Sequence, residues 1–361
     1  MSDTGQSTKT VSDFEATLTK ADATVASFDT EHLTGLQKLR IFLQGYPVAV
    51  PIFVLVLSLF LFSFTTDGRI VQPGNLSTIL KQITPIGIVA IAQTIIILTA
   101  GIDLSIGAIM VLASIIMGKL AVQSGVPAPA AIAIGCFAGG AMGYLNGFLV
   151  TRLRLPPFIV TLGTLYIFQA LKLWYSHSES IRNVDTEAAA PLLIWFGKVI
   201  PLGGFQILYG TVAFILLAWI MSYVLRHTAW GRHVYAVGDD LNGAMLSGVQ
   251  TDKVLRSVYS VAGVIAAFAG LVLIGRVGGT VTPLGGETAN LDSITAVVIG
   301  GTSLFGGRGT IAGSVLGAII VGVFRFGLSL SRVDVLWQDF TVGILIIAAV
   351  AIDQWIRKAS A

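Results

Sequence analysis

From residue 41 onward the chain is dominated by apolar stretches that carry no charge. Residues 41–66, 82–102, 120–151 and 199–225 each run 21 residues or more without Asp, Glu, Lys or Arg. About 20 helical residues cross a hydrocarbon core of ~30 Å. Shorter charge-poor stretches extend the pattern, and ten helices are expected near 47–65, 80–100, 104–123, 127–150, 157–175, 206–225, 257–275, 290–305, 309–329 and 336–355. The eighth is short and Gly-rich, so the count is good to one or two. The fold class this predicts is all-α: a polytopic membrane protein with a Gly-rich core.

Composition points the same way. Of the 361 residues, 54% are hydrophobic and 11% are charged. Soluble domains carry about 25% charged residues, so this chain cannot cover a soluble surface. An ordinary soluble enzyme and a nucleic-acid binder are excluded. The net charge of +3 is small and spread over loops. A single cysteine, Cys136, rules out a disulfide framework and a cysteine-based zinc site.

The charges sit between the apolar stretches and at the ends. Ten of the 41 charged residues lie in residues 1–40. We divide the chain into a cytoplasmic tail, 1–45, and a transmembrane domain, 46–361. Leu33, Leu36, Leu39 and Phe42 recur every third position, which fits a short helix in the membrane interface or the frayed start of the first span. The positive-inside rule puts Lys38, Arg40, Arg152, Arg154, Arg226, Arg232, Lys253, Arg256, Arg308, Arg357 and Lys358 on the cytoplasmic side. Both termini are then cytoplasmic, and residues 176–205 lie outside.

Glycine marks where helices approach. Gly135, Gly139, Gly143 and Gly147 recur every fourth residue in the fourth helix, and Gly313 and Gly317 repeat the spacing once. Such a groove lets two backbones come close. Packing within one subunit is the simpler use; a subunit interface or a moving contact is the other.

Four polar sites interrupt the apolar background. In AGIDLSIG, 100–107, Gly101 permits a break and Asp103 can cap the following helix; the alternative is a part in gating or the substrate path. Asn146, Thr161 and Thr164 flank a stiff Pro156-Pro157 turn, where threonine can also bond back to its own helix. Two glycine pairs, 300–301 and 306–307, bracket Thr302-Ser303 and predict a broken helix. The loop 226–256 carries a short helix starting at Asp240 and stopping at Gly248, with Leu241, Ala244 and Met245 on one face. An exposed amphipathic helix invites a partner with a groove; it could equally lie on its own protein.

Enzyme chemistry is not visible. The four histidines have no metal-ligand spacing, and no HExxH or GxSxG occurs. No glycine-rich loop is followed by Lys-Ser or Lys-Thr, so no ATP site is recognisable. The spans lack the chains of buried ionisable residues that proton-coupled carriers use; Arg325 and Asp339 come nearest, each close to a helix end.

AGIDLSIGAIM at 100–110, NGFLVTRLRLPPFIVTLGTLY at 146–166, GRHVYAVGDDLNGAMLSGV at 231–249 and ITAVVIGGTSLFGGRGTIAGSVLGA at 294–318 together resemble the membrane permeases of bacterial monosaccharide ABC importers, of the ribose, xylose and fructose type. The likeness runs from about residue 45 to the end. It implies two inverted halves, helices 2–5 and 7–10, of which the Gly-rich turns at 101–107 and 300–309 are a faint echo. It implies a second permease copy, a separate ABC ATPase subunit that binds ATP and Mg, a periplasmic sugar-binding protein, and residence in the bacterial inner membrane. This chain itself would bind no cofactor, metal or nucleic acid. Asp240, Leu241, Asn242, Gly243, Ala244, Met245 and Gly248 would form the helix that couples to the ATPase. Gln93, Asp103, Asn146, Thr161 and Thr164 are the expected lining of the substrate path. The cargo would be fructose, ribose or a similar monosaccharide, with autoinducer-2 or a nucleoside as the alternative. A secondary sugar carrier and a non-transporting scaffold are the remaining classes.

Overall fold

A computed structural model describes residues 48–284, 286 and 288–357. The interfacial helix expected within residues 31–44, and the tail as a whole, lie outside the described residues. Thirteen α-helices follow in order: α1 Ala49–Thr65, α2 Pro73–Ile97, α3 Ile106–Gly118, α4 Ala128–Leu153, α5 Pro157–Ser176, α6 Asn183–Ala189, α7 Tyr209–His227, α8 Ala229–Asp239, α9 Leu241–Leu246, α10 Thr251–Arg276, α11 Ala289–Ile299, α12 Ile311–Leu330 and α13 Val335–Arg357. All ten expected spans are present as helices. Among the described residues, seven helical stretches are long and apolar enough to cross a membrane, and α1, α11 and the first part of α13 are shorter apolar helices. Pro73 at the first turn starts α2 seven residues before the expected position. The eighth span ends at Ile299 rather than 305, because Gly301, Gly306 and Gly307 adopt left-handed conformations that end a helix.

The helices sort into an inner and an outer set. Most of α2, α3 and α10 is buried, whereas α4, α5 and α7 each bury about a quarter of their length. Phe53, Phe60 and Phe64 on α1, Phe137 on α4, Trp174 on α5 and Trp219 on α7 point outward. Large apolar side chains on the outside of a helical bundle suit contact with lipid tails. Tyr166 and Trp174 share this outward face, so neither lines an internal path in this subunit.

The glycine stripe of α4 is where the two layers come closest. A Cβ at Gly139 would stand 2.5 Å from the Gly263 carbonyl oxygen, and one at Gly147 2.8 Å from the Arg256 Cα, both on α10. At Gly143 it would collide with the Tyr259 carbonyl, and at Gly135 with the Met117 side chain of α3. Gly263 returns the contact from α10 against Gly139. Backbone meets backbone along most of this seam, with van der Waals contact replacing larger side chains. Gly313 and Gly317 do the same for α12, against Gly300 and Ala296 of the α11 segment.

Two features were not anticipated. Residues 176–208 fold into α6, a 3₁₀ segment Pro191–Gly197 and a hairpin of β1 Val199–Leu202 with β2 Phe205–Leu208, paired Val199↔Leu208 to Leu202↔Phe205. The hairpin is tied to α2: Gln206 donates its backbone N–H to Ser77 Oγ at 2.8 Å, and Lys81 donates to Gln206 Oε1 at 2.6 Å. The Gly-rich turns around 101 and 300–309 are also not repeat mates. Turns related by an in-plane two-fold would lie at opposite ends of the bundle, but here Gly307 N–H donates to the Leu98 carbonyl at 3.0 Å. They form one structural unit.

Candidate functional site

The chain breaks helix between α2 and α3, and a buried polar cluster fills the break. Ala100 and Gly101 close the end of α2 by donating back to the Ile97 and Ile96 carbonyls, at 2.9 and 3.2 Å. Asp103 then turns the chain into α3. Its Oδ1 accepts from the Ser105 N–H and from Ser105 Oγ, both at 2.7 Å. This is a side-chain turn two residues on, placed just before α3 rather than at its capping position. Asp103 is 1% exposed, and a buried carboxylate is tolerated only when donors surround it.

Ser105 supplies two of these donors, and other helices add the rest of the contacts to the loop. Asn146 on α4 donates to Asp103 Oδ2 at 3.2 Å and to Ser105 Oγ at 2.8 Å. The Gln93 amide of α2, oriented to satisfy its neighbours, donates to the Asp103 carbonyl and accepts from the Asp103 N–H, both at 3.2 Å. Thr161 of α5 donates to the Ile102 carbonyl at 3.0 Å. Four helices are thus joined through one eight-residue break. Of the five expected path residues, Gln93, Asp103, Asn146 and Thr161 come together. Thr164 does not join them: its hydroxyl bonds back to the Thr161 carbonyl at 3.3 Å.

The cluster has unused capacity. Asn146 Oδ1 and the Tyr259 hydroxyl are buried with no hydrogen-bond partner among the described residues. Tyr259 comes from α10, and its hydroxyl faces Gly101, where a Cβ would stand 2.7 Å away. A buried orphan polar atom costs about 1–3 kcal/mol. Both lie around the one loop. Nothing in the sequence singles out Tyr259, since a tyrosine in an apolar helix reads as core.

The second break, 300–310, lies beside the first. Thr94 of α2 donates to Ser314 Oγ at 2.7 Å, and Thr302 stands 3.5 Å from the same hydroxyl. Thr310 caps α12 by accepting from Gly313 N–H at 3.0 Å.

The loop after α7 holds two helices. Asp240 caps α9, accepting from Asn242 N–H at 3.0 Å, and Gly248 follows in a left-handed conformation. Leu241, Met245 and Leu246 are exposed, Leu246 at 86%, whereas Ala244 is buried. The expected single face is therefore split: Ala244 holds the helix to the protein, and the larger apolar residues face away. Gly243 is pressed against the capping carboxylate, where a Cβ would stand 2.6 Å from Asp240 Oδ2. Asn242 contributes its backbone N–H to the cap.

Buried ionisable groups are more numerous than the sequence indicated. Asp292 of α11 is 3% exposed and accepts from Arg325 of α12 at 2.7 Å; Arg325 also reaches Asp339 of α13 at 3.2 Å. Lys172 of α5 is 4% exposed and lines a narrow cleft with Gln169, Gly107, Gly286 and Asn290. Asn290 also accepts from the Gly107 N–H. Distance from a helix end in sequence does not report burial, which depends on what packs alongside. Among the described residues, no group of three His, Cys, Asp or Glu could hold a metal ion.

Known proteins are similar to this sequence over most or all of its length. Residues 75–350 match the family described as branched-chain amino acid transport system / permease component. The chain is 49% identical to the fructose import permease protein of Rhizobium meliloti over 361 residues, 100% of both chains. It is 37% identical to the ribose import permease protein of Bacillus subtilis over 333 residues, 92% of this chain and 99% of the relative. It is 34% identical to the autoinducer 2 import system permease protein of Photorhabdus luminescens over 275 residues, 75% of this chain and 79% of the relative. No solved structure matches. With its apolar helices and this full-length likeness, the chain is a multi-pass membrane protein and belongs to the branched-chain amino acid transport system / permease component family.

Proposed function

We propose that this chain is the membrane subunit of an ATP-binding-cassette importer that carries a monosaccharide across the bacterial inner membrane, with fructose as the cargo to test first. The observation that carries this reading is the 49% identity to a fructose import permease across the whole of both chains. The ATPase is a separate subunit that binds ATP and Mg, and this chain binds neither. A periplasmic binding protein delivers the sugar, and two copies of the permease enclose the path.

The α8–α9 end faces the cytoplasm, with both termini on that side, as the distribution of Arg and Lys favours. The helix α9 docks in a groove of the ATPase through Leu241, Met245 and Leu246, which are exposed and apolar. The cluster of Gln93, Asp103, Asn146 and Thr161 forms the inner end of the path. Amide and hydroxyl groups suit a neutral, hydroxyl-rich cargo, and among the described residues no ring of like charges of the ion-pore kind surrounds them. Thr164 serves packing.

The alternative cargo is autoinducer-2, favoured by the 34% identity to an import permease for it. The experiment compares labelled fructose, ribose, xylose and galactose uptake in a strain lacking this gene and in its parent. ATP is depleted by arsenate in one arm, and a protonophore is added in the other while ATP is preserved. Loss of arsenate-sensitive, protonophore-resistant fructose uptake supports the reading. Unchanged uptake of all four sugars moves the cargo to autoinducer-2. Loss of a protonophore-sensitive uptake replaces the importer by a secondary carrier.

A further inference from the structure

The exposed helix α9 lies between α8 and α10 in the chain, and α8 ends in a three-way backbone contact. At Gly238 a Cβ would collide with the Leu98 carbonyl and stand 2.7 Å from the Gly307 nitrogen. Leu98 carbonyl also accepts from Gly307 N–H at 3.0 Å. At Gly306 a Cβ would stand 2.5 Å from the Gly238 carbonyl and 2.9 Å from the Ala100 methyl. Three chain segments therefore touch with no side chain between them: the end of α8, the break after α2, and the Gly-rich turn before α12. Gly238 has no positive φ. Glycine is required there for the close approach alone.

Two further observations fix the junction. The Tyr235 hydroxyl of α8 donates to the Gly309 carbonyl at 2.9 Å, a second tie between α8 and the turn. Burial pushes the Tyr235 phenol above its ordinary pKa, so it keeps its proton and remains a donor at neutral pH. Ala100 sits at φ +59°, a left-handed conformation that costs a non-glycine residue about 1–2 kcal/mol. Strain of this kind persists only where the surroundings impose it. The strained residue is the one against Gly306.

We infer that Gly238, the 98–101 break and the 306–309 turn form a rigid transmission junction through which movement of α9 reaches both broken-helix turns at once. This inference rests on α9 being the ATPase contact. It adds that the force passes through the end of α8 into the Asp103 cluster and the start of α12, rather than along the flanking helices α7 and α10. The start of α8 is also attached to those helices, by Trp230 Nε1 donating to Ser257 Oγ at 2.8 Å and by Gly231 against the Leu225 backbone. Those contacts lie at the end of α8 away from the junction and take no part in it.

The test uses the complete importer, purified with its ATPase and binding protein and reconstituted in vesicles. The readout is sugar delivered per ATP hydrolysed, with co-purification of the ATPase scored separately. Gly238→Ala is expected to keep the ATPase bound and lower the transport ratio by about tenfold, within the range of a coupling free energy. Tyr235→Phe keeps the ring, removes only the tie to Gly309, and is expected to lower the ratio by about threefold. Trp230→Phe is expected to leave it unchanged. A wild-type ratio in Gly238→Ala overturns the junction. If Gly238→Ala does not reach the membrane, Tyr235→Phe decides, and a wild-type ratio there overturns it. A loss in Trp230→Phe equal to that in Tyr235→Phe also overturns it, by placing the force in α10. Failure of the ATPase to co-purify with the unaltered permease would instead refute the importer reading, which is a different result.

Discussion

Asp103 shows how one residue can tie together three helices. Its carboxylate accepts from Ser105 and Asn146, and its backbone pairs with Gln93. Removing the carboxylate by Asp103→Ala leaves the Ser105 N–H and hydroxyl donors without their acceptor in a dry site, a cost of about 1–3 kcal/mol. Asp103→Asn is milder, because the free Asn146 Oδ1 can turn to accept from the new amide. Thermal unfolding in detergent should therefore rank wild type above Asn above Ala. A melting temperature for Asp103→Ala equal to that of wild type would show that the carboxylate carries no hydrogen-bond role. Tyr259→Phe removes an orphan hydroxyl and should leave stability unchanged or raised, while a drop would reveal a partner for that hydroxyl. The sequence already singled out Asp103, Asn146, Gln93 and Thr161, because polar groups are conspicuous among apolar neighbours. It could not single out Tyr259, Lys172 or Asp292. Each is one residue in an otherwise ordinary helix, and only the neighbours that tertiary packing supplies make it unusual.

At the scale of elements, the glycine stripe is legible because small residues at a four-residue spacing have one geometric meaning. The partner helix is not legible, since a groove does not name what fills it. The structure names α10, with Gly263 opposite Gly139. Gly143→Ala should destabilise the folded protein by about 1–3 kcal/mol through overpacking against the Tyr259 carbonyl. Gly163, on the outer face of α5 with open space at its Cβ position, is the control. Gly163→Ala should be neutral or stabilising by up to about 1 kcal/mol, because alanine is the better helix former. If both substitutions gave the same change in melting temperature, close packing of α4 on α10 would be refuted. The helix at 241–246 was legible from its cap and stop, Asp240 and Gly248. That Ala244 alone faces inward was not, because six residues make too short a helix for periodicity to fix a face. The hairpin 199–208 was hidden by its apolar composition, which reads as the approach to a span.

The whole molecule combines a lipid-facing outer set of helices, three buried inner helices, and two broken turns that meet at the end carrying α8 and α9. Leu241, Met245 and Leu246 are the large apolar side chains that α9 exposes. Replacing Met245 and Leu246 together by Asp should leave the permease folded, with its melting temperature unchanged, and abolish co-purification of the ATPase. Undiminished co-purification would remove α9 from that contact. The most direct measurement is fructose uptake into vesicles containing the purified permease and ATPase, with binding protein and sugar on the outside and ATP inside. ATP-dependent accumulation that needs the binding protein and persists when a protonophore collapses the proton gradient is the predicted result. Uptake that proceeds equally without ATP, or that stops with the proton gradient, would contradict the function proposed for this chain.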